Sequence, residues 1–153
     1  TTLGNNQPLR GWKTDLYEGG IRVPAFANWP GVLPAGAVLR TPVHMTDWAP
    51  TLITLAGGKT RPEWKLDGAN IWELLTAKRT SLGERIFYWK TPGGAAVRQG
   101  DWKLIHQRAD NRDELFDLGR DPYEKNDVAA ANADRVRALK AHLERIAADD
   151  RSR

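Results

Sequence analysis

The sequence predicts an α/β segment followed by a small α+β unit, a four-stranded antiparallel sheet with a C-terminal helix. Three observations carry this expectation. Residues 84–118 hold four short stretches rich in aromatic and aliphatic residues, joined by short connections. Gly100-Asp101 separates two of them and is a two-residue hairpin signal. Val136, Leu139, Leu143 and Ile146 then recur at steps of three and four, the apolar stripe of an amphipathic helix. A short sheet with one helix over a face makes a compact two-layer unit.

The elements follow in order. Residues 1–20 read as loop. Residues 21–29 are apolar and are expected to form a buried strand, with Pro24 placing it at an edge or start. Pro30-Gly31 and Pro34-Ala35-Gly36 are turns. Thr46 or Asp47 is placed to cap a helix over 48–56, which Gly57-Gly58 ends. Trp48, Leu52, Leu55 and Ala56 would share its apolar face. Asn70 is placed to cap a second short helix over 71–77. Strands are expected over 84–90, 95–99, 102–108 and 114–118, and Asp121-Pro122 breaks the pattern. The final helix is expected over 130–148.

Composition narrows the function classes. The chain has 153 residues, of which 41% are hydrophobic, enough for a core. No apolar run approaches the ~20 residues of a membrane-spanning helix. Cysteine is absent, so disulfides and thiolate metal sites are excluded. The net charge is +4, but the 23 basic residues are dispersed among 19 acidic ones. That dispersal, without a Lys/Arg block, argues against nucleic acid as a partner.

The densest chemistry lies in residues 8–24. This segment carries Arg10, Trp12, Lys13, Glu18 and Arg22, and Gly11, Gly19 and Gly20 permit tight bends. A lysine between turns at the rim of an α/β sheet suits anion binding. The order Leu9-Arg10-Gly11-x-Lys13, then Tyr17-Glu18-Gly19-Gly20-Ile21-Arg22-Val23-Pro24, resembles the sulfatase family, the arylsulfatase-type hydrolases of the alkaline phosphatase superfamily. Further segments in the right order support the resemblance: 44–51, Leu66-Asp67-Gly68, and 114–118 followed by Asp121-Pro122. The resemblance implies that residues 1–80 end a large α/β catalytic domain and that 81–153 form its C-terminal subdomain. It also implies that Lys13 is catalytic and holds the sulfate group of a sulfate ester substrate. An ammonium is a compact charge with three donors, suited to a tetrahedral anion.

Around Lys13, Trp12 is a candidate to line the pocket. Arg10, Glu18 and Arg22 read as structural groups of the loop, Arg10 because an arginine fork commonly ties down a carboxylate. Glu18 and Arg22 are four apart and opposite in charge. His44 and Asp47 read as a helix start rather than a metal or acid–base pair. His106 and His142 read as structural or surface residues, since the three histidines show no metal-ligand spacing. Seven tryptophans could stack on sugars but more often fill cores; Trp89 and Trp102 are the candidates for an exception.

The family makes its formylglycine nucleophile from a Cys/Ser-x-Pro-x-Arg motif, which neither Ser81 nor Ser152 fits. The resemblance also implies calcium, whose paired acidic ligands have no match here; Asp149-Asp150 sits in the wrong context. The chain therefore reads as the C-terminal portion of a sulfuric ester hydrolase, with an upstream part of the same enzyme as partner. Alone it is expected to be inactive, to need no cofactor and to self-associate through apolar surface in 21–56. The alternatives are a phosphonate or phosphate ester hydrolase of the same superfamily, and a non-catalytic binding module. The resemblance is compatible with a periplasmic or secreted protein, although no signal sequence is recognisable.

Overall fold

A computed structural model describes residues 4–150. In chain order the elements are α1 (Glu18–Ile21), α2 (Trp48–Leu55), α3 (Trp72–Leu75), β1 (Ile86–Thr91), β2 (Gly94–Gln99), β3 (Trp102–Gln107), β4 (Arg112–Asp117) and α4 (Ala133–Asp150). They form two compact units. One joins residues 4–24 to 84–150, and the other comprises residues 25–83.

The first unit is built on the sheet. Its strands run β1-β2-β3-β4, each antiparallel to the next, as alternation and short connections predict. Pro92-Gly93 and Gly100-Asp101 make two-residue turns, and Gly100 takes φ +58, a conformation that costs glycine little. The register aligns Val97, Leu104 and Leu115 in one row across the sheet. These three pack with Leu139 and Leu143 of α4 in one buried cluster. The expected stripe of α4 therefore faces the sheet, and Val136 adds partly buried contact.

Side chains alternate across a strand, so neighbouring residues face the other way. Ala96, Ile105 and Phe116 form a second buried cluster with Leu118 and Leu16. Leu16 comes from the N-terminal segment, so this sheet is covered on both faces, by α4 and by the loop that leads into α1. Packing brings two glycines into helical α1 against their propensity. A Cβ on Gly19 would collide with the carbonyl oxygens of Arg10 and Gly11, and one on Gly20 with those of Asp15 and Trp12.

The second unit is helical. His44 and Asp47 form a reciprocal capping box ahead of α2, with the His44 amide donating to Asp47 Oδ2 at 2.7 Å. Asp47 Oδ1 accepts from the Ala69 amide at 2.8 Å, and Thr51 Oγ1 from the Ile71 amide at 3.0 Å. These bonds fix α2 against the segment entering α3, where Ile71 and Leu74 are buried. Asn70 Oδ1 accepts from the Trp72 amide at 2.9 Å just ahead of α3, whose N-cap is Ile71 rather than the expected Asn70.

Two expectations need correction. Residues 21–29 are not a buried strand: Ile21 ends α1, Val23, Phe26 and Trp29 are exposed, and no described strand pairs with them. Pro24 removes a ladder donor, and an extended segment without a partner has nothing to order it. On α2 the buried residues are Pro50 and Thr51, while Leu52 is 56% exposed. Tertiary hydrogen bonding through Thr51, rather than the apolar period, chose the face. No helix among the described residues is long and apolar enough to cross a membrane.

Leu139 is fully buried where α4 meets the sheet. Leu139→Ala is expected to cost about 2–5 kcal/mol in urea unfolding. A loss below about 1 kcal/mol would show that α4 contributes little to this core.

Candidate functional site

The segment from Arg10 to Ile21 is a braced loop. Gly11 takes φ +80 and turns the chain into Trp12. Trp12 to Asp15 form a β-turn, closed by the Asp15 amide donating to the Trp12 carbonyl at 3.0 Å. The Trp12 amide in return donates to Asp15 Oδ2 at 3.0 Å. Thr14, third in the turn, takes φ +84. That conformation suits glycine and strains a β-branched residue.

Lys13 sits at the tip of this turn. It is exposed, and its side chain makes no ion pair among the described residues. Trp12 beside it is 54% exposed. Arg10 is differently placed. Its guanidinium lies 3.8 Å from the centre of the Tyr17 ring. Nη1 donates to the Glu124 carbonyl at 2.9 Å and Nη2 to the Tyr17 hydroxyl at 3.0 Å. Arg22 is exposed; its backbone N–H donates to the Glu18 carbonyl at 2.8 Å, closing α1.

Glu18 turns inward instead. Its carboxylate accepts from Lys103 Nζ at 2.9 Å, and Arg98 lies 3.9 Å away. Lys103 also donates to Glu124 Oε1 at 2.7 Å. The other oxygen of Glu124 accepts from the Glu18 amide at 2.6 Å. The side chains of Lys103 and Glu124 have no exposed surface. Burial pushes the Glu124 carboxyl above its usual range, opposed by the Lys103 charge. Alternation along β3 offers a signal for this group: Lys103 shares a face with Ile105, and a lysine on a covered face needs carboxylates.

A second network flanks it. The Tyr17 hydroxyl donates to Glu114 Oε2 at 2.6 Å, and Gln107 Nε2 donates to both. Burial and the neighbouring Glu114 carboxylate push the Tyr17 phenol up to about 12. On the α4 face of the sheet, His106 lies 2.7 Å from Asp113, which also accepts from Lys140 at 2.6 Å. Burial would raise Asp113, but its bonds to Lys140 and His106 outweigh that and hold it below the usual carboxylate range. His106 is thus tied into a structural network, and His142 lies 3.5 Å from Arg145 on α4.

The loop thus presents an ammonium with no ion pair among the described residues, on a turn flanked by bonds to β3 and to the turn after β4. Such a group can hold an anion and stabilise charge that develops on it. Among the described residues, no three His, Cys, Asp or Glu side chains converge on a possible metal position.

Residues 11–149 match the family model described as N-sulphoglucosamine sulphohydrolase, C-terminal. The chain belongs to the sulfatase family. It is 36% identical to arylsulfatase J of Mus musculus over 125 residues, covering 69% of this chain and 21% of that protein. A sulfatase of Formosa agariphila is 33% identical over 145 residues, covering 84% of this chain and 26% of the other. The crystal structure of Ps i-CgsB superposes with a TM-score of 0.80 at 31% identity, covering 92% of this chain and 32% of that one. The sheet and following helix are those of sulfatase C-terminal domains. The sulfatase chain spans about a fifth to a third of the length of these relatives.

Lys103→Met is expected to destabilise this sulfatase unit by about 3–5 kcal/mol, because two carboxylates stay buried without their cation. Urea unfolding measures the loss, and combining Glu18→Gln and Glu124→Gln with it should recover part of it. A neutral Lys103→Met would mean that the carboxylates are not held charged.

Proposed function

We propose that this chain is the C-terminal portion of a sulfuric ester hydrolase and that Lys13 binds the sulfate group of its substrate. The observation that carries the reading is an unpaired, exposed lysine at the tip of a braced turn, inside the family segment Leu9-Arg10-Gly11-x-Lys13. In the proposed reaction a sulfate ester and water give an alcohol and sulfate. Negative charge grows on the ester and sulfate oxygens as the S–O bond breaks. Lys13 donates to a sulfate oxygen and stabilises that charge, and the neighbouring Trp12 borders the bound ester.

The formylglycine nucleophile, calcium and the histidines that assist the leaving group are proposed to come from the rest of the enzyme. The described residues offer no donor cluster for calcium, so every step assigned to this chain is one of charge stabilisation and positioning. Ps i-CgsB has also been solved in complex with k-i-k-neocarrahexaose, which makes a sugar sulfate a proposed substrate class here.

The test is kinetic, in the full-length enzyme, with matched sulfate and phosphate esters. Turnover of the sulfate ester is expected to exceed that of the phosphate ester. Lys13→Ala should lower kcat/KM about a hundredfold, or about 3 kcal/mol of transition-state stabilisation, with the fold retained. Wild-type kinetics in that variant would remove Lys13 from the site.

A further inference from the structure

Lys13 makes none of the bonds that hold its own turn in place. The Trp12 and Asp15 bonds close the turn itself, and beyond them one bond on each side ends on the same distant residue. Before the turn, Arg10 donates to the Glu124 carbonyl at 2.9 Å. After the turn, the Glu18 amide donates to the Glu124 carboxylate at 2.6 Å. The Gly19 amide donates to the Arg10 carbonyl at 2.7 Å and closes the base of the loop between these two anchors. Glu124 is itself fixed from below by Lys103 at 2.7 Å and is fully buried. It stands in the left-handed region at φ +55, in the turn that Asp121 organises by accepting from the Asn126 amide at 2.7 Å.

Resting on the reading of Lys13 given above, we propose that Glu124 is a positioning residue for the sulfate-binding lysine. It uses its carbonyl and its carboxylate to clamp the two ends of the Lys13 turn to the sheet. A lysine stem is flexible, and a charge-stabilising donor acts fully only where the turn beneath it is already placed. Clamping both ends before substrate arrives removes part of that ordering cost from the reaction.

Glu124→Gln is a suitable probe. It leaves Lys103 balanced by Glu18, so no buried charge is stranded. The amide NH₂ must then face either the Glu18 N–H or the Lys103 ammonium, donor against donor, and one anchor of the loop is lost. Arg10→Gln removes the other anchor without touching the buried ion group.

The experiment measures kcat/KM with a sulfate ester in the full-length enzyme for Glu124→Gln and Arg10→Gln, each made in the wild-type and the Lys13→Ala background. Thermal unfolding checks that each variant is folded. Glu124→Gln is expected to lower kcat/KM about tenfold in the wild-type background, a fraction of the roughly hundredfold that a 1 Å misplacement costs. In the Lys13→Ala background the same change should cost less than about twofold, because the group it positions is gone. Equal losses in both backgrounds would mark a structural role alone and overturn the proposal, as would full activity of folded Glu124→Gln. If Glu124→Gln does not fold, Arg10→Gln must show the same background dependence, and its absence overturns the proposal. If Lys13→Ala itself keeps full activity, the reading of Lys13 fails and this inference falls with it.

Discussion

A lysine ammonium cut off from water must be matched by carboxylates, and Lys103 draws its two from distant parts of the chain. Glu18 comes from the N-terminal loop and Glu124 from the turn after β4. Such a group is a poor source of net stability, since desolvation consumes most of the attraction. It is a strong source of specificity. A loop that slid along the sheet would take the Glu18 carboxylate from Lys103 and the Glu18 amide from Glu124, leaving the buried Lys103–Glu124 pair short of one carboxylate and one donor. The ion group therefore selects one placement of the loop, and the Leu16 contact with Ala96, Ile105 and Phe116 supplies apolar burial alongside it.

That placement makes the segment around Lys13 part of the C-terminal sheet unit. The segment that carries Lys13 is a layer of the sheet unit and not a tether leading to it. The sheet is thus a platform, with α4 on one face and the loop that carries Lys13 on the other. Thr14 holds a positive φ beside Lys13, while the bonds that tolerate this strain lie at Asp15, Arg10 and Glu18. Arg10 combines a carbonyl bond, a ring contact and a 3.7 Å approach to Glu114, so its guanidinium is held by several partners at once.

Much of this unit was legible in the residues. Gly100-Asp101 and the alternation around it located β2 and β3 to within a residue, because hairpin chemistry and burial are local signals. The Val136 to Ile146 stripe located α4 and its buried face for the same reason. The failures are non-local. The apolar run at 21–29 reads as a strand, yet a strand exists only with a partner, and none is present among the described residues. The face of α2 went to Thr51 because its hydroxyl bonds the Ile71 amide, which no helical period encodes. Glu18 and Arg22 read from spacing as loop groups of opposite charge, whereas the folded chain gives Glu18 the ammonium of Lys103, far away in sequence. Within the candidate site, Lys13 and Arg10 came from motif order and Trp12 from its place beside Lys13, while Glu124 carried no local mark at all.

Native-state hydrogen exchange tests most directly whether the loop is part of the sheet. The Glu18 amide bonds Glu124 and the Gly19 amide bonds Arg10, and both lie over the strand that carries Lys103. If the buried ion group fixes the loop, these two amides open only with the sheet and exchange as slowly as those of Leu104 and Ile105. If they exchange at the rate of the exposed Val23 amide while β3 stays protected, the loop is a separate mobile element and the account is wrong.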